Sequence, residues 1–282
     1  MPYGPAGEVG SARGDSDTNG GYALVTPLDY LPLAIRAAKA GGALLRGRGE
    51  EGLVVVSDAG RDVKLEADRR AEARIVETLR GESDLPVLSE ECGPLGLLGE
   101  GPFWVIDPLD GTFNFQRGIP FCCVAVGLML GEEPLVGVIY DFDREELFTA
   151  VQGGGAWLDE RPIRVSAVGE PRRAVLSTGW PTHGDFSDAG LSRLLRRIQR
   201  FKKVRMLGSA ALSMAYVACG RLDAYAENGA MLWDVAAGAA IVRAAGGHVS
   251  WTAPGPQPWV RDICCLSRST LAEGLIEATP HA

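Results

Sequence analysis

The sequence predicts a layered α/β protein of two lobes, and three observations carry that prediction. Two stretches with helical spacing of apolar residues come first, and apolar or alternating runs separated by Gly, Pro and acidic turns follow. From Ala174 onward, strand-like and helix-like segments alternate. The chain has 282 residues, 46% hydrophobic and 23% charged, which is enough to bury a large core and excludes disorder of the whole. No internal repeat or low-complexity segment interrupts the pattern.

In order along the chain, residues 1–24 are rich in Gly, Ser and Asp and read as a flexible leader without an apolar signal core. Leu28, Leu31, Ile35, Ala38, Leu44 and Leu45 then mark an amphipathic helix that ends at Gly47-Arg48-Gly49. Leu53 to Val56 is a short β-like run, Ser57 to Asp62 a polar loop, and Ala67, Ala71, Ile75 and Leu79 the apolar face of a second helix. Asp68 sits in the first turn of that helix, where the helix dipole favours a carboxylate. Strands are predicted at Val87-Leu88, Phe103 to Ile106, Cys122 to Leu130, Leu135 to Tyr140, Leu147 to Val151 and Ile163 to Val165. The alternating half then places strands at Val175-Leu176, Val204 to Leu207, Leu222 to Ala226, Val249 to Trp251 and Ile263 to Leu266. Its helices fall near Ser187 to Arg200, Ala210 to Ala218 and Asp234 to Ala245, with one more at the end. The division drawn is an N-terminal α+β lobe at 25–170 and a C-terminal α/β lobe at 171–282.

Composition narrows the function classes. With 36 Asp and Glu against 28 Lys and Arg the formal net charge is -8, which argues against a surface that coats nucleic acid. The longest apolar stretch, Phe121 to Leu130, is well short of the ~20 residues of a membrane span. Four of the six cysteines form the adjacent pairs Cys122-Cys123 and Cys264-Cys265, and no zinc-type spacing occurs. The thiols read as small core hydrophobes of a cytoplasmic protein. Of the three histidines, His183 reads as a loop residue, His248 as a strand residue and His281 as part of the tail.

Carboxylates recur where predicted strands end or helices begin: Glu90-Glu91, Asp107-Pro108-Leu109-Asp110-Gly111-Thr112, Asp234 and Asp68. Taken singly, Asp-Pro-x-Asp-Gly reads as a turn, a Glu pair as a solvated loop and Asp234 as a helix-start residue. Yet Asp107, Asp110 and Asp234 each adjoin an apolar stretch, where uncompensated charge is costly. Convergence on a cation is one resolution. Pro108 fixes a backbone torsion between the two aspartates, Gly111 allows a tight turn or close ligand approach, and Mg²⁺ accepts such oxygen donors.

At these residues the chain resembles the inositol monophosphatase family of metal-dependent phosphatases. The likeness rests on Glu90-Glu91, on Trp104 to Thr112 and on Trp233-Asp234-Val235-Ala236-Ala237-Gly238 with its trailing Ala245-Gly246-Gly247. Gly208-Ser209-Ala210-Ala211 and Gly220 to Tyr225 support it. The resemblance implies an α-β-α-β-α sandwich of the sugar-phosphatase type with the site between two lobes. It also implies a homodimer and two or three Mg²⁺ ions. Glu90, Asp107 and the Leu109 carbonyl would hold one ion, and Asp107, Asp110 and Asp234 a second; a third, weaker one would sit near Glu90. Glu90 and Thr112 would orient the attacking water, with Asp110 also counted as catalytic. Asp68 and Glu91 would tune the ligands from behind. Phosphate would rest on the amides of Gly111 and Thr112, and sugar hydroxyls would meet Ala210 and Glu227.

The chain departs from the family where Lys64-Leu65-Glu66-Ala67-Asp68 lacks a Thr three residues before the aspartate. It departs again where Arg61 stands in place of a loop Lys, and where Met231 replaces the sugar-facing His of some relatives. Phe113-Asn114-Phe115 resembles members acting on inositol phosphates and sugar bisphosphates, so the substrate expected is a small phosphate monoester, inositol 1-phosphate or a similar polyol phosphate. A dual inositol phosphate and fructose 1,6-bisphosphate activity is the alternative within the family. A non-catalytic binding or regulatory protein is the alternative of another class.

Overall fold

The computed structural model describes residues 26–47, 54–59, 62–179, 185–272 and 275. The leader, Arg61, His183 and His281 lie outside them. Six α-helices and fifteen strands are present among the described residues. Helix α1 (Pro27–Leu45) and helix α2 (Glu66–Arg80) flank a hairpin of β1 (Val55–Ala59) and β2 (Asp62–Leu65). The polar loop expected at Ser57 to Asp62 is therefore mostly strand. Its side chains lack the apolar alternation of a half-buried strand because this two-stranded sheet stands apart from the main ones.

An eight-stranded sheet is built from β3 (Val87–Ser89), β4 (Gly93–Leu95), β5 (Pro102–Asp110), β6 (Cys123–Leu130), β7 (Glu133–Asp141), β8 (Glu146–Val151), β9 (Gly155–Leu158) and β10 (Arg161–Pro162). Their spatial order is β10-β9-β8-β7-β6-β5-β3-β4. All neighbours are antiparallel except β3 and β5. A short helix α3 (Thr112–Gln116) follows β5. The strand expected at Ile163 to Val165 is instead irregular chain.

The second sheet has five strands: β11 (Val175–Ser177), β12 (Lys203–Arg205), β13 (Ala224–Met231), β14 (His248–Trp251) and β15 (Val260–Leu266), in the order β12-β11-β13-β15-β14. Its helices are α4 (Asp188–Ile198), α5 (Ala210–Ala218) and α6 (Leu232–Ala244). His248 is exposed on β14. The last helix is a single 3-10 turn at Ser269–Ala272 among the described residues.

Alternation along the strands creates the layers. Val124, Val126 and Leu128 of β6 join the core made with α1 and α2, whereas Cys123 and Ala125 join the one made with α5 and α6. That second core also takes Tyr225, Ala230, Ile263 and Cys265 from the five-stranded sheet, so α5 and α6 form the middle layer. On the sheet's far face Ala224, Ala226 and Cys264 meet Ile198 of α4 and Leu271. The order is thus α-β-α-β-α. Each large apolar side chain buried in these layers contributes roughly 1.5–3 kcal/mol.

Helix α6 lies against the eight-stranded sheet at backbone distance. A Cβ on Gly137 would stand 2.2 Å from the Ala237 carbonyl oxygen, and one on Gly127 3.3 Å from the Ala237 nitrogen. The small residues Ala236, Ala237, Gly238, Ala239 and Ala240 make that approach feasible. Cys122, Cys123, Cys264 and Cys265 are buried thiols as expected, but Cys92 is exposed. Among the described residues no helix is long and apolar enough to cross a membrane.

Candidate active site

The Asp-Pro-Leu-Asp segment is not a turn; it continues β5, with an irregularity that aims both carboxylates. Asp107 is opposite Ala125 and Asp110 opposite Cys123, so three steps on β5 match two on β6. In a regular strand, positions three apart point to opposite faces. The extra residue at Pro108-Leu109 cancels that inversion, and Pro108 has no amide proton to lose from the ladder. Asp107 and Asp110 thereby come to one side, where both are buried. The chain turns only at Gly111, whose φ is +89° and where a Cβ would lie 2.9 Å from the Phe121 carbonyl oxygen.

Glu90 reaches the same place because β3 and β5 are parallel, so their C-terminal ends lie side by side. Ser89 pairs with Ile106, which puts Glu90 next to Asp107, and the Glu90 amide donates to the Ile106 carbonyl at 3.3 Å. Asp234 arrives from the N-terminus of α6, where it accepts from the Met231 amide at 3.2 Å. Asp68 does the same at the start of α2, accepting from the Leu65 amide at 2.9 Å. Its other oxygen lies 3.0 Å from the Thr112 hydroxyl, which is equally close to the Leu109 carbonyl oxygen.

Glu90, Asp110 and Asp234 border a cavity of about 310 Å³ together with Ala210, Glu227 and Met231. Asp107 is buried outside the cavity lining and accepts from the Leu109 amide at 2.9 Å. Gly111 and Thr112 are half-buried beside Asp110, outside the cavity lining. Glu227 occupies a second irregular strand position, between Glu227 and Ala230 on β13. Its Oε2 accepts from the Tyr225 hydroxyl at 2.6 Å, and a Cβ on Gly179 would stand 1.7 Å from that atom. Only glycine leaves room there for the carboxylate.

Several residues to which the sequence assigns no role in the site hold these groups. Asp110 Oδ2 accepts from the Ser209 hydroxyl at 2.5 Å and from the Ala211 amide at 2.7 Å, while Ser209 also caps α5 by accepting from the Leu212 amide at 3.2 Å. A Ser before an apolar helical run is the cap signal that was available. Glu72 of α2 accepts from the Ser89 hydroxyl and, at 3.1 Å, from the Cys92 amide, which fixes the turn carrying Glu90 and Glu91. Lys64 lies 2.8 Å from Glu91. Asn114, by contrast, donates its side-chain amide to the Phe121 and Leu207 carbonyls at 2.8 and 2.7 Å. It braces the site and is committed to the protein on its donor side.

The electrostatics are those of an anionic cluster short of positive charge. Burial raises Asp68 to about 7, Asp110 to about 6 and Glu90 to about 8, with Lys64 pulling Glu90 back down. Asp107 and Asp234 are pushed well above the carboxylate range by burial first and then by neighbouring carboxylates. Burial also lifts Glu227 to about 7. Among the described residues no three acidic, His or Cys side chains are already gathered around an ion position, in keeping with like charges that repel. The donor set nonetheless fits a hard divalent cation: carboxylate and carbonyl oxygens, with no thiol or imidazole among the described cavity-lining residues.

The chain is similar to known proteins over most of its length. The profile of the Inositol monophosphatase family matches residues 28–282. A protein of Xylella fastidiosa named Nus factor SuhB is 43% identical over 221 residues, covering 77% of this chain and 80% of its own length. An inositol-1-monophosphatase of Synechocystis is 42% identical over 229 residues, 78% of each chain. Among solved structures, the inositol monophosphatase of Anabaena superposes with a TM-score of 0.77 at 35% identity, covering 90% of this chain and 98% of that one.

Proposed function

The chain belongs to the inositol monophosphatase family, and from that premise we propose that it hydrolyses a small polyol phosphate, inositol 1-phosphate first, with Mg²⁺ as cofactor. One observation carries the reading: Glu90, Asp110 and Asp234, from three separate segments, border one cavity, Asp107 is buried next to them, and Lys64 is the sole basic residue among the described lining residues. Glu90, Asp107 and the Leu109 carbonyl would hold one ion, and Asp107, Asp110 and Asp234 another. Bound Mg²⁺ would supply positive charge against the phosphoryl oxygens and the leaving alkoxide, and would acidify the attacking water.

The protein's own groups do the rest. The Thr112 hydroxyl, with its proton directed at Asp68 or at the Leu109 carbonyl, offers a lone pair to a water proton. Glu90, on the other side, accepts a second hydrogen bond from that water and orients it. The amides of Gly111 and Thr112, at the N-terminal end of α3, receive phosphate oxygens. Glu227, braced by Tyr225, accepts from ring hydroxyls, and Ala210 shapes the adjoining wall. A homodimer and a cytoplasmic setting accompany this reading.

The test is a panel of inositol 1-phosphate, fructose 1,6-bisphosphate, adenosine 3′,5′-bisphosphate and histidinol phosphate with Mg²⁺, compared by kcat/KM. The expected order puts inositol 1-phosphate first; comparable turnover of fructose 1,6-bisphosphate selects the dual activity. The name of the Xylella relative favours one second reading, a binding or regulatory role. Failure of the folded protein to release phosphate from any monoester would establish it in place of catalysis.

A further inference from the structure

We propose that Lys64 is a resident cation of the carboxylate cluster, which covers the Glu90-Glu91 side of the cavity and keeps a divalent ion from loading there. The inference rests on the metal-site reading above. Lys64 stands two residues before α2, on β2, where it pairs with Ser57. From there its ammonium reaches the Glu91 carboxylate at 2.8 Å, with 26% of the lysine side chain and 5% of the glutamate side chain exposed. That is a charge-assisted bond made largely out of water. Among the described residues lining the cavity, Lys64 is the sole basic one, and it shares that lining with Glu90, Asp110 and Asp234.

The neighbouring chain holds it there. Leu65 donates its amide to Asp68, Asp68 meets Thr112, and Glu72 fixes the turn bearing Glu90 and Glu91. The ammonium therefore stands on a tied-down strand end facing a tied-down turn. Asp110 and Asp234 share the lining with Glu90, and the one basic side chain among the described lining residues is the Lys64 ammonium, which is bonded to Glu91. Fixed positive charge on one flank lowers the attraction for a further cation there and leaves the aspartate flank to the divalent ions. Lys64 is thus a positioning and charge-setting residue that acts through Glu91 and Glu90.

The test is titration of the full chain, stripped of metal, with Mn²⁺ by calorimetry and equilibrium dialysis, without substrate. The wild-type protein is expected to bind two ions and Lys64→Met three, or to bind its weakest ion at least tenfold more tightly than wild type does; Lys64→Arg should behave as wild type. Thermal melts check folding, and Lys64→Gln is read instead should Lys64→Met not fold. Isotherms unchanged by loss of the charge overturn the inference, as would an effect of Lys64→Met confined to the affinity for inorganic phosphate. A wild-type protein that binds no Mn²⁺ overturns the metal-site reading itself, and this inference with it.

Discussion

Ser209 and Asp110 are 99 residues apart and joined by a hydrogen bond of 2.5 Å, by which the cap of α5 orients a carboxylate at the end of β5. The same hydroxyl accepts from the Leu212 amide, so one oxygen serves both helix and site. Ser209→Ala is expected to cost about 1 kcal/mol of stability as a lost cap. The Mg²⁺ concentration for half-maximal rate should rise about 10–100-fold, as for a group that orients a metal ligand. Ser209→Thr should recover most of both. Equal effects at limiting and saturating Mg²⁺ would show that Ser209 is only a cap.

Asp234→Asn removes a buried charge from the cluster, so rate and stability should move in opposite directions. Phosphate release is expected to fall by about 10²–10³-fold or more. The melting temperature in EDTA should hold or rise, because burial and neighbouring carboxylates already disfavour the ionised form. Near-normal turnover at low Mg²⁺ would remove Asp234 from the assignment.

The pH dependence of the metal-free protein follows from Glu90, Asp110 and Glu227, raised to about 8, 6 and 7. Ordinary carboxyl values are about 4 in the unfolded chain. The folded state therefore holds these protons more tightly, and their contribution to stability is complete below about pH 4 and lost as pH rises towards 8. Melts in EDTA should fall across this window, and saturating Mg²⁺ should flatten the curve by favouring the ionised ligands. A metal-free protein whose stability rises between pH 5 and 8 would contradict the charge deficit inferred for the site.

Gly179→Ala drives a methyl group into the space of the Glu227 carboxylate, 1.7 Å from Oε2. Because that atom is the end of a side chain, the expected outcome is displacement of Glu227 and not unfolding. KM for inositol 1-phosphate should rise about tenfold, the scale of one lost hydrogen bond to a charged group, with kcat changed less. A kcat effect with unchanged KM would place Glu227 away from the substrate.

The layered fold was legible because its strands are apolar and its helices keep their period; α5 falls where the apolar run predicts it, at Ala210–Ala218. Of the hairpin β1-β2 only the start of the first strand was legible, from the β-like run Leu53 to Val56; Ser57 to Asp62, which follows, has the polar composition of a loop. At the site, the grouping of acidic segments could be read from their places at strand ends and helix starts. The irregularity at Pro108-Leu109 could not, since a bulge is defined by the partner strand and not by the residues that form it. The bonds of Ser209 to Asp110 and Lys64 to Glu91 were invisible for a like reason: each joins segments that only the tertiary fold brings together.

The backbone-close seat of α6 on the eight-stranded sheet bears on which ions suit the site. Asp234 rides at the head of that helix, and the absence of a Cβ at Gly137 and Gly127 is what lets Ala237 sit so close to β7 and β6. Packing remote from the carboxylates thus sets where the head of the helix, and with it Asp234, stands. Mg²⁺ takes its oxygen donors at about 2.0–2.1 Å and Ca²⁺ at about 2.3–2.6 Å. On the metal-site reading, a helix head seated in this way would suit the ion with the shorter donor distances, and Ca²⁺ is expected to compete with Mg²⁺ for the carboxylates.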